Sequence, residues 1–325
     1  MRSIIQRLFT TNNVRPKLSI VLIVYRMPEQ ARKTLYSLSM AYQQGVTADE
    51  YEVIVVENSS PEIMGDEYLK ELDGNFRYFY REETVPTPLP AISYGADLCI
   101  GQYISIMIDG ARMATPGLIK NIIAATGLCK MPVIAAPGYH LGDQLQQQAS
   151  EAGYNRVQEQ ELLDSIAWPN DGYRLFEISC FSGSCRAGFF LPNSESNCLT
   201  VSKEVWQTLG GIEQGFTTTG GGLANLDLYK RACELPGATL ITLASEGTFH
   251  QFHGGATTGG KRGKEREDLM QAQLDQYISL RGSPFKQPEV NPLLLGQFHP
   301  ATYPFLEQSI ETAKQTHRIR TNNGS

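Results

Sequence analysis

Apolar and polar residues follow a regular alternation of two patterns along the first 140 residues of the chain. Short runs rich in β-branched residues predict strands at 18–25, 51–57, 76–80, 102–108 and 132–136. Residues with a helical period lie between them and predict helices at 28–44, 61–72, 91–99 and 116–129. Strands that alternate with helices are typical of βαβ units. The pattern predicts an α/β fold with a mainly parallel sheet flanked by helices.

The rest of the chain is less regular. Residues 141–170 are rich in Gln, Glu and Ala, which predicts a solvent-exposed helical insertion. Short elements follow, with strands at 199–202 and 239–243 and helices at 203–209 and 223–233, and they predict a smaller mixed sheet. Two last helices are expected at about 264–280 and 303–316. We therefore divide the chain into an extension (1–16), a main domain (17–263, made of 17–140, 141–170 and 171–263) and a C-terminal helical extension (264–325).

Composition excludes several classes of protein. The 28 Lys and Arg against 34 Asp and Glu give a net charge of −6, which argues against general nucleic-acid binding. The six cysteines form no CxxC pair, so we expect reduced thiols in a cytoplasmic protein, although Cys180 and Cys185 could pair in an oxidising compartment.

No apolar run approaches the roughly 20 residues that a membrane-spanning helix needs. The basic, amphipathic start, Met1 to Phe9, lacks the features of a signal peptide. We interpret it as a frayed terminus, with peripheral contact to a membrane surface as the alternative.

Candidate binding residues directly follow three predicted strands. In a doubly wound sheet, ligands lie outside the carboxyl ends of the strands. The residues at these ends are Val24, Tyr25 and Arg26, then Glu57, Asn58 and Ser59, and then Asp109, Gly110, Ala111 and Arg112. The sequence therefore predicts a binding cleft along this edge.

These segments, and the order and spacing in which they occur, resemble those of family 2 glycosyltransferases. The resemblance rests on SIVLIVYR at 19–26, YEVIVVENSS at 51–60 and GQYISIMIDGAR at 101–112, and it covers roughly residues 17–140 and 195–255. It implies the GT-A fold and a nucleoside diphosphate sugar as donor. The first two segments would hold base and ribose, with a carboxylate at position 57 or 58 accepting from the base. Alternatively, Glu57 caps the helix that follows it.

The third segment departs from the family where a metal is expected. Members carry Asp-x-Asp, whose carboxylates hold Mn²⁺ or Mg²⁺ against the diphosphate, whereas this chain has Asp109 and then Ala111. The resemblance places His250 and His253 near the diphosphate, so we expect Asp109, His250 and His253 as metal ligands. Alternatively, Arg112 neutralises the phosphates without a metal. Lys261 and Arg262 lie on a Gly-rich loop that could close over the diphosphate or remain solvated.

A second departure concerns the catalytic base. Members read Gly-Gly-(Glu-Asp)-x-Asp-Leu-x-x-Arg, and the alignment places Ala224 and Asn225 on the acidic pair. Neither side chain accepts a proton at neutral pH. Asp227 and Glu195 are the candidate replacements, although Asp227 could simply pair with Arg231 one helical turn later. A retaining transfer would need no such base.

The sequence thus predicts a glycosyltransferase that moves a sugar to a hydroxyl of an unknown glycan, lipid or small molecule, in surface polysaccharide or glycolipid synthesis. A catalytically silent module that binds nucleotide sugar or glycan is the alternative, because the family's acidic pair is missing. A nucleotidyltransferase is less favoured, since residues 25–29 lack the Gly-rich basic loop of those enzymes.

Overall fold

The structure is a computed structural model, and it describes residues 15–83, 85–253 and 263–323, with side chains to residue 319. The segment 1–14, which includes most of the predicted N-terminal extension, lies outside the described residues, as do Lys261 and Arg262.

Twelve strands form two sheets in the described part of the chain. The bounds are β1 Leu18–Val24, β2 Tyr51–Asn58, β3 Phe76–Arg81, β4 Tyr103–Met107, β5 Arg112–Ala114, β6 Pro132–Ala135, β7 Gly138–Leu141, β8 Ser179–Phe181, β9 Leu199–Ser202, β10 Thr239–Leu243, β11 Thr248–His250 and β12 Leu293–Leu295. The larger sheet has the order β12-β10-β6-β9-β4-β1-β2-β3. All of its neighbouring strands are parallel except β9, which runs antiparallel to β4 and β6. The predicted α/β class with a mainly parallel sheet is confirmed.

Both faces of the larger sheet are buried. Along β1, Ile20 and Leu22 pack on one face, and Val21 and Ile23 pack on the other. Because helices cover both faces, the central strands are continuously apolar instead of alternating with polar residues. This burial explains why β1, β2 and β4 were visible as long apolar runs.

The smaller sheet has the order β5-β11-β7-β8 and is mixed. A smaller mixed sheet was predicted, but the strands expected in it at 199–202 and 239–243 belong to the larger sheet as β9 and β10. It packs on an aromatic cluster in which the ring of Tyr139 lies 5.0 Å from Phe181 and 5.2 Å from Phe249, centroid to centroid. Strand β11 lies between β5 and β7, so this cluster fixes the strand that leads to His250 and His253.

Ten α-helices accompany the sheets in the described residues. Their bounds are α1 Pro28–Ser37, α2 Glu67–Glu71, α3 Leu89–Leu98, α4 Leu118–Ala125, α5 Gln146–Glu151, α6 Arg156–Ile166, α7 Lys203–Thr208, α8 Ala224–Cys233, α9 Lys264–Arg281 and α10 Tyr303–Asn323. The helix expected at 28–44 ends at Ser37, and the one expected at 61–72 is a single turn. The last helix extends beyond the predicted residue 316.

Two segments differ from what the sequence pattern indicated. The insertion 141–170 forms α5 and α6, but Gln146, Glu159 and Leu163 are buried, so it is not simply a solvent-exposed addition. The C-terminal segment contributes β12, which pairs in parallel with β10 at the edge of the larger sheet. Only helices had been predicted there.

Candidate active site

The three predicted strand ends lie at one edge of the larger sheet. Val24, the last residue of β1, is in register with Glu57 on β2. On the other side of β1, Leu22 is in register with Met107, two residues before Asp109. Asp109 and Glu57 therefore flank the same strand end, as a shared cleft requires.

Gly110 permits the close approach of two of these ends. A Cβ atom at this position would lie 2.9 Å from the carbonyl oxygen of Ile23 and 3.1 Å from a methyl carbon of Val24. A side chain here would push the Asp109 turn away from β1. Gly110 and Val24 therefore contact each other, and their predicted contact with a nucleotide sugar stays a prediction.

Asp109, His250 and His253 form a compact cluster. Oδ2 of Asp109 lies 2.9 Å from Nε2 of His250 and 3.4 Å from Nε2 of His253. The two imidazole nitrogens are 3.1 Å apart, and one ligand atom from each residue falls within 4.8 Å of the others. Two imidazoles and a carboxylate form a donor set that suits divalent transition metals. The three residues predicted as metal ligands are therefore brought together.

The pKa shifts of Asp109 and His250 also fit cation binding. Burial lowers the pKa of His250 to about 4, and the nearby Arg112 adds to this effect against the opposing charge of Asp109. Burial alone would raise the pKa of Asp109, but the charges and hydrogen bonds of His253 and His250 hold it well below its usual range. A carboxylate and a neutral imidazole are the forms that bind metals.

Gln146, which was not predicted as a site residue, contacts His250 at two points. Its Nε2 donates to the carbonyl oxygen of His250 at 2.7 Å, and its Oε1 forms a short contact with Nδ1 of the same residue. Its backbone N–H donates to Nδ1 of His140 at 3.0 Å. Nothing in the Gln-rich composition of this segment distinguished Gln146 from its neighbours.

Arg112 contributes a buried positive charge. Its Nε lies 4.0 Å from Oδ2 of Asp109, and the residue is 8% exposed. Nε and Nη1 have no hydrogen-bond partner among the described residues. Buried guanidinium N–H groups are costly to leave unpaired, so they favour an anion at this point.

The end of β2 contains a buried polar group whose contacts the sequence only partly indicated. Glu57 is fully buried; it accepts from the backbone N–H groups of Met64 and Gly65 at 2.6 and 3.0 Å and from the Tyr78 hydroxyl at 2.5 Å. These backbone donors lie in the loop before α2, not in its first turn. The carboxylate therefore fixes this loop, and its contact with a nucleobase stays a prediction.

Asn58 and Arg81 are in register at the ends of β2 and β3. Oδ1 of Asn58 and Nε of Arg81 are buried and lack partners among the described residues. The guanidinium of Arg81 lies over the ring of Tyr94, 4.5 Å from its centroid. The strand pattern predicted β3 but gave no reason to single out Arg81.

The other predicted residues on this side are more open. Tyr25 is 46% exposed, and Arg26, with a left-handed φ of 56°, holds its guanidinium 5.7 Å from the Tyr25 ring centroid. Ser59 donates its backbone N–H to the carbonyl oxygen of Arg81 at 2.7 Å. All three lie beside the end of β1 or β2.

Glu195, one of the two candidate bases, accepts hydrogen bonds from several donors. Its Oε2 accepts from Nδ2 of Asn225 at 2.7 Å, and its Oε1 accepts from the Ser184 hydroxyl at 2.6 Å. The buried Cys185 thiol donates to the backbone carbonyl oxygen of Glu195 at 3.7 Å and accepts from the backbone N–H of Gly138, the first residue of β7, at 3.2 Å. Glu195 therefore lies beside the smaller sheet, in which β7 pairs with the strand that ends in His250.

Asp227 faces away from Asn225, as its helical spacing predicts. It is 1% exposed and accepts from Nε of Arg231 at 2.7 Å and from Nε of Arg281 at 2.5 Å. These ion pairs join α8 to α9. Its contacts are those of a structural residue, which was the alternative considered for it.

Two further findings concern the cysteines and the lengths of the helices. The six cysteines are free thiols, so Cys180 and Cys185 are not paired. Among the helices of the described ranges, none is both long and apolar enough to cross a membrane.

Comparisons with known proteins agree with this architecture. The sequence profile described as glycosyl transferase family 2 matches residues 19–120. An S. aureus TarS fragment matches with 10% identity and a TM-score of 0.50, over 82% of this chain and 72% of that one. The same fragment in complex with UDP-GlcNAc matches with 11% identity and a TM-score of 0.50, over 81% and 66%.

The mannosyltransferase PcManGT from Pyrobaculum calidifontis, in complex with GDP-Man and Mn²⁺, has 13% identity and a TM-score of 0.47, over 96% of this chain and 77% of that one. A search of curated protein sequences found no match. The profile match covers the β1 to α4 segment that carries Val24, Glu57 and Asp109. Residues 19–120 therefore match the family 2 glycosyltransferase profile, and the chain has the GT-A fold that the sequence resemblance predicted.

Proposed function

We propose that this protein transfers a sugar from a nucleoside diphosphate sugar to an acceptor hydroxyl, with the donor diphosphate bound at Asp109, His250, His253 and Arg112. The observation that carries the proposal is the convergence of the Asp109 carboxylate and two imidazole nitrogens beside a buried guanidinium with unpaired N–H groups. These groups lie at the sheet edge where ligands of such folds bind.

The donor set favours Mn²⁺ over Mg²⁺. Two of the three ligands are imidazoles, and Mg²⁺ prefers oxygen ligands. Asp109, His250 and His253 would hold the ion through Oδ2 and the two Nε2 atoms. A bound divalent cation would offset the negative charge of the diphosphate in the donor and in the leaving group.

The guanidinium of Arg112 would neutralise part of the negative charge of the diphosphate. In a site with a second aspartate, a metal ion bound by both carboxylates would do this. Its buried Nε and Nη1 groups are unpaired among the described residues and can donate to phosphate oxygens. Arg112 would therefore compensate for Ala111, whose side chain cannot bind a metal ion.

The nucleoside would occupy the ends of β1, β2 and β3. Asn58 offers an unpaired Oδ1 acceptor there, and Arg81 offers an unpaired Nε–H donor. TarS, which shares the fold, is known in complex with UDP-GlcNAc. Tyr25, Arg26, Glu57 and Ser59 remain in the proposed site, with Glu57 shaping it through the loop at Met64 and Gly65.

We assign the role of general base to Glu195. In the transfer, the acceptor oxygen bonds to the anomeric carbon while the bond from that carbon to the diphosphate oxygen breaks. The nucleoside diphosphate leaves with the bonding electron pair, and the acceptor proton passes to Glu195. Asp227 is the weaker candidate, because its carboxylate pairs with two guanidinium groups, which lower its pKa and make it a poorer proton acceptor, whereas Asn225 and Ser184, which donate to Glu195, are neutral.

The wider setting is also part of the proposal. A glycan, lipid or small-molecule hydroxyl is the acceptor, in polysaccharide or glycolipid synthesis, and the protein works in the cytoplasm, where free thiols persist. The predicted catalytically silent module is less favoured, because Glu195 supplies a carboxylate near the positions where Ala224 and Asn225 offer none.

Thermal-shift titration with UDP-, GDP- and dTDP-sugars, with and without Mn²⁺, tests the donor site. We expect one nucleotide class to raise the melting temperature, and Mn²⁺ to increase the shift, since ligands of the folded state stabilise it by mass action. Asp109→Asn should remove the Mn²⁺-dependent part of the shift. The matched control is Asp97→Asn, which changes an exposed carboxylate on α3.

Three results would separate the alternatives. Absence of a shift with every nucleotide sugar would contradict the donor site. A shift that is independent of Mn²⁺ and is lost in Arg112→Ala would instead indicate metal-free binding through the guanidinium. Binding without release of nucleoside diphosphate in the presence of a range of hydroxyl acceptors would favour the silent module.

A further inference from the structure

Gln146 lies at the point where the helical insertion meets the cation cluster. It is fully buried at the start of α5, and its backbone N–H donates to Nδ1 of His140 at 3.0 Å. His140 is in turn the register partner of His250 in the β7 and β11 pair. The backbone of Gln146 is therefore anchored to the strand beside the one that ends in His250.

The side chain of Gln146 has a defined orientation. Its Nε2 lies 2.7 Å from the carbonyl oxygen of His250, and the opposite orientation of the amide would place two oxygen acceptors at this distance. Oε1 must then face Nδ1 of the His250 ring, with which it makes a short contact. An amide oxygen only accepts, so the hydrogen atom of this contact belongs to Nδ1.

This hydrogen bond determines which ring nitrogen can bind a cation. With the hydrogen on Nδ1, a neutral His250 presents the lone pair of Nε2 to Oδ2 of Asp109 at 2.9 Å and to Nε2 of His253 at 3.1 Å. The Nε2 lone pair of His250 and Oδ2 of Asp109 are both acceptors, and such a close pair is stable when a cation or proton lies between them. Partners that orient a metal-binding histidine through its other nitrogen are a general feature of metal sites.

We propose that Gln146 is a positioning residue of the cation centre: it fixes the Nδ1–H tautomer and ring orientation of His250, so that the 141–170 insertion is a working part of the donor site. This inference rests on the proposed function. It adds that the insertion determines how tightly the centre binds its ion. Loss of such a partner typically weakens metal binding by about 10- to 100-fold.

The first test measures binding of Mn²⁺ alone by electron paramagnetic resonance, without nucleotide. Gln146→Met keeps the length of the side chain but removes both hydrogen bonds, and Gln146→Glu keeps an acceptor for Nδ1–H. We expect the dissociation constant to rise about 10- to 100-fold in Gln146→Met and less in Gln146→Glu. Gln160→Met, at a site on α6 where the glutamine is exposed and contacts Asp164, is the control and should bind as the unsubstituted protein does.

A purely space-filling role for Gln146 predicts the reverse order. The apolar methionine would then preserve binding, and the buried charge of glutamate would impair it. That order, or equal binding by Gln146→Met and the unsubstituted protein, would overturn this inference alone. If the unsubstituted protein does not bind Mn²⁺, the cation centre and this inference fall together.

A second measurement reads the tautomer directly in the unsubstituted protein, and a variant is needed only to assign the signals. The chain has five histidines, so ¹⁵N-histidine labelling gives few ring signals, and His250→Gln identifies those of His250. We expect a hydrogen-bonded Nδ1–H at His250 in the unsubstituted protein. A ring that carries its only hydrogen on Nε2 would overturn the proposal.

Discussion

Asn225 and Glu195 are joined by a 2.7 Å hydrogen bond from Nδ2 to Oε2. The bond connects the first turn of α8 to the segment before β9, 30 residues earlier in the chain. The sequence resemblance aligned position 225 with a carboxylate. The amide at this position instead binds a carboxylate from a different segment, so a negative charge still lies next to residue 225.

Substitution of Glu195 tests whether this carboxylate is the base. Glu195→Gln should lower the turnover number by about 10²- to 10⁴-fold, because the amide cannot take the acceptor proton. Donor binding should change little, since Glu195 contacts Asn225 and Ser184 but none of the cation ligands. Release of nucleoside diphosphate and thermal shift with the donor measure the two effects separately.

Glu204→Gln is the matched control for this experiment, because Glu204 is exposed on α7 and should be neutral in both assays. Turnover by Glu195→Gln at the unsubstituted rate would remove Glu195 as the base. It would then favour a retaining transfer, in which the leaving phosphate accepts the proton.

Asp227→Asn tests whether Asp227, the second candidate base, has a structural role instead of a catalytic one. We expect a loss of roughly 2–3 kcal/mol in the free energy of unfolding, less than for a fully buried pair, because Arg231 and Arg281 remain 24% and 26% exposed. Turnover per folded molecule should stay unchanged. Urea unfolding measures the stability, and nucleoside diphosphate release at a temperature well below the transition measures the activity.

The contribution of Asp227 to the free energy of unfolding should depend on pH. Burial alone would raise the pKa of Asp227, but the hydrogen bonds and charges of Arg281 and Arg231 lower it below 3.8. Its contribution to stability is therefore present above about pH 3.8 and is lost as the pH falls further.

The control is Glu234→Gln, which removes a surface pair with Lys230 and should change stability by less than about 1 kcal/mol. A drop in turnover without a loss of stability in Asp227→Asn would instead support a catalytic role.

The sequence predicted the central strands of the larger sheet, because their apolar runs are local patterns. The strands β1, β2 and β4 are apolar because both faces of the sheet are covered, and the spacing between them placed Val24, Glu57 and Asp109 at one edge. The cation ligands could be named because the family resemblance connected Asp109 with His250, 141 residues away. Periodicity alone could not have made that connection.

What the sequence did not predict depends on long-range contacts. The helix expected at 61–72 is only one turn, and the loop before it donates two N–H groups to Glu57, which lies outside that window. Gln146 contacts His250 across 104 positions, so no local signal distinguished it from the other glutamines nearby. β12 has three residues and pairs only through the tertiary fold.

One buried carboxylate outside the candidate site should affect the pH dependence of stability. Glu246 accepts from Nδ2 of Asn121 and from the Tyr173 hydroxyl, each at 2.9 Å, and makes a short hydrogen bond with Thr115. Burial raises its pKa to about 7, in spite of these hydrogen bonds, which act in the opposite direction. Glu246 therefore links α4 and the segment 171–178 to the loop that follows β10, although burial disfavours its ionised form.

Glu246→Gln should flatten the fall in stability between about pH 4.5 and pH 7. The folded protein holds the Glu246 proton up to about pH 7, whereas the unfolded chain releases it near 4.5, so its contribution is full below pH 4.5 and declines as the pH rises. The shift corresponds to roughly 3 kcal/mol. Urea unfolding of both proteins at several pH values measures the difference. Glu159, whose pKa burial also raises to about 7, is present in both proteins and cancels in this difference. Parallel stability curves for the two proteins across this range would show that Glu246 ionises normally in the folded state.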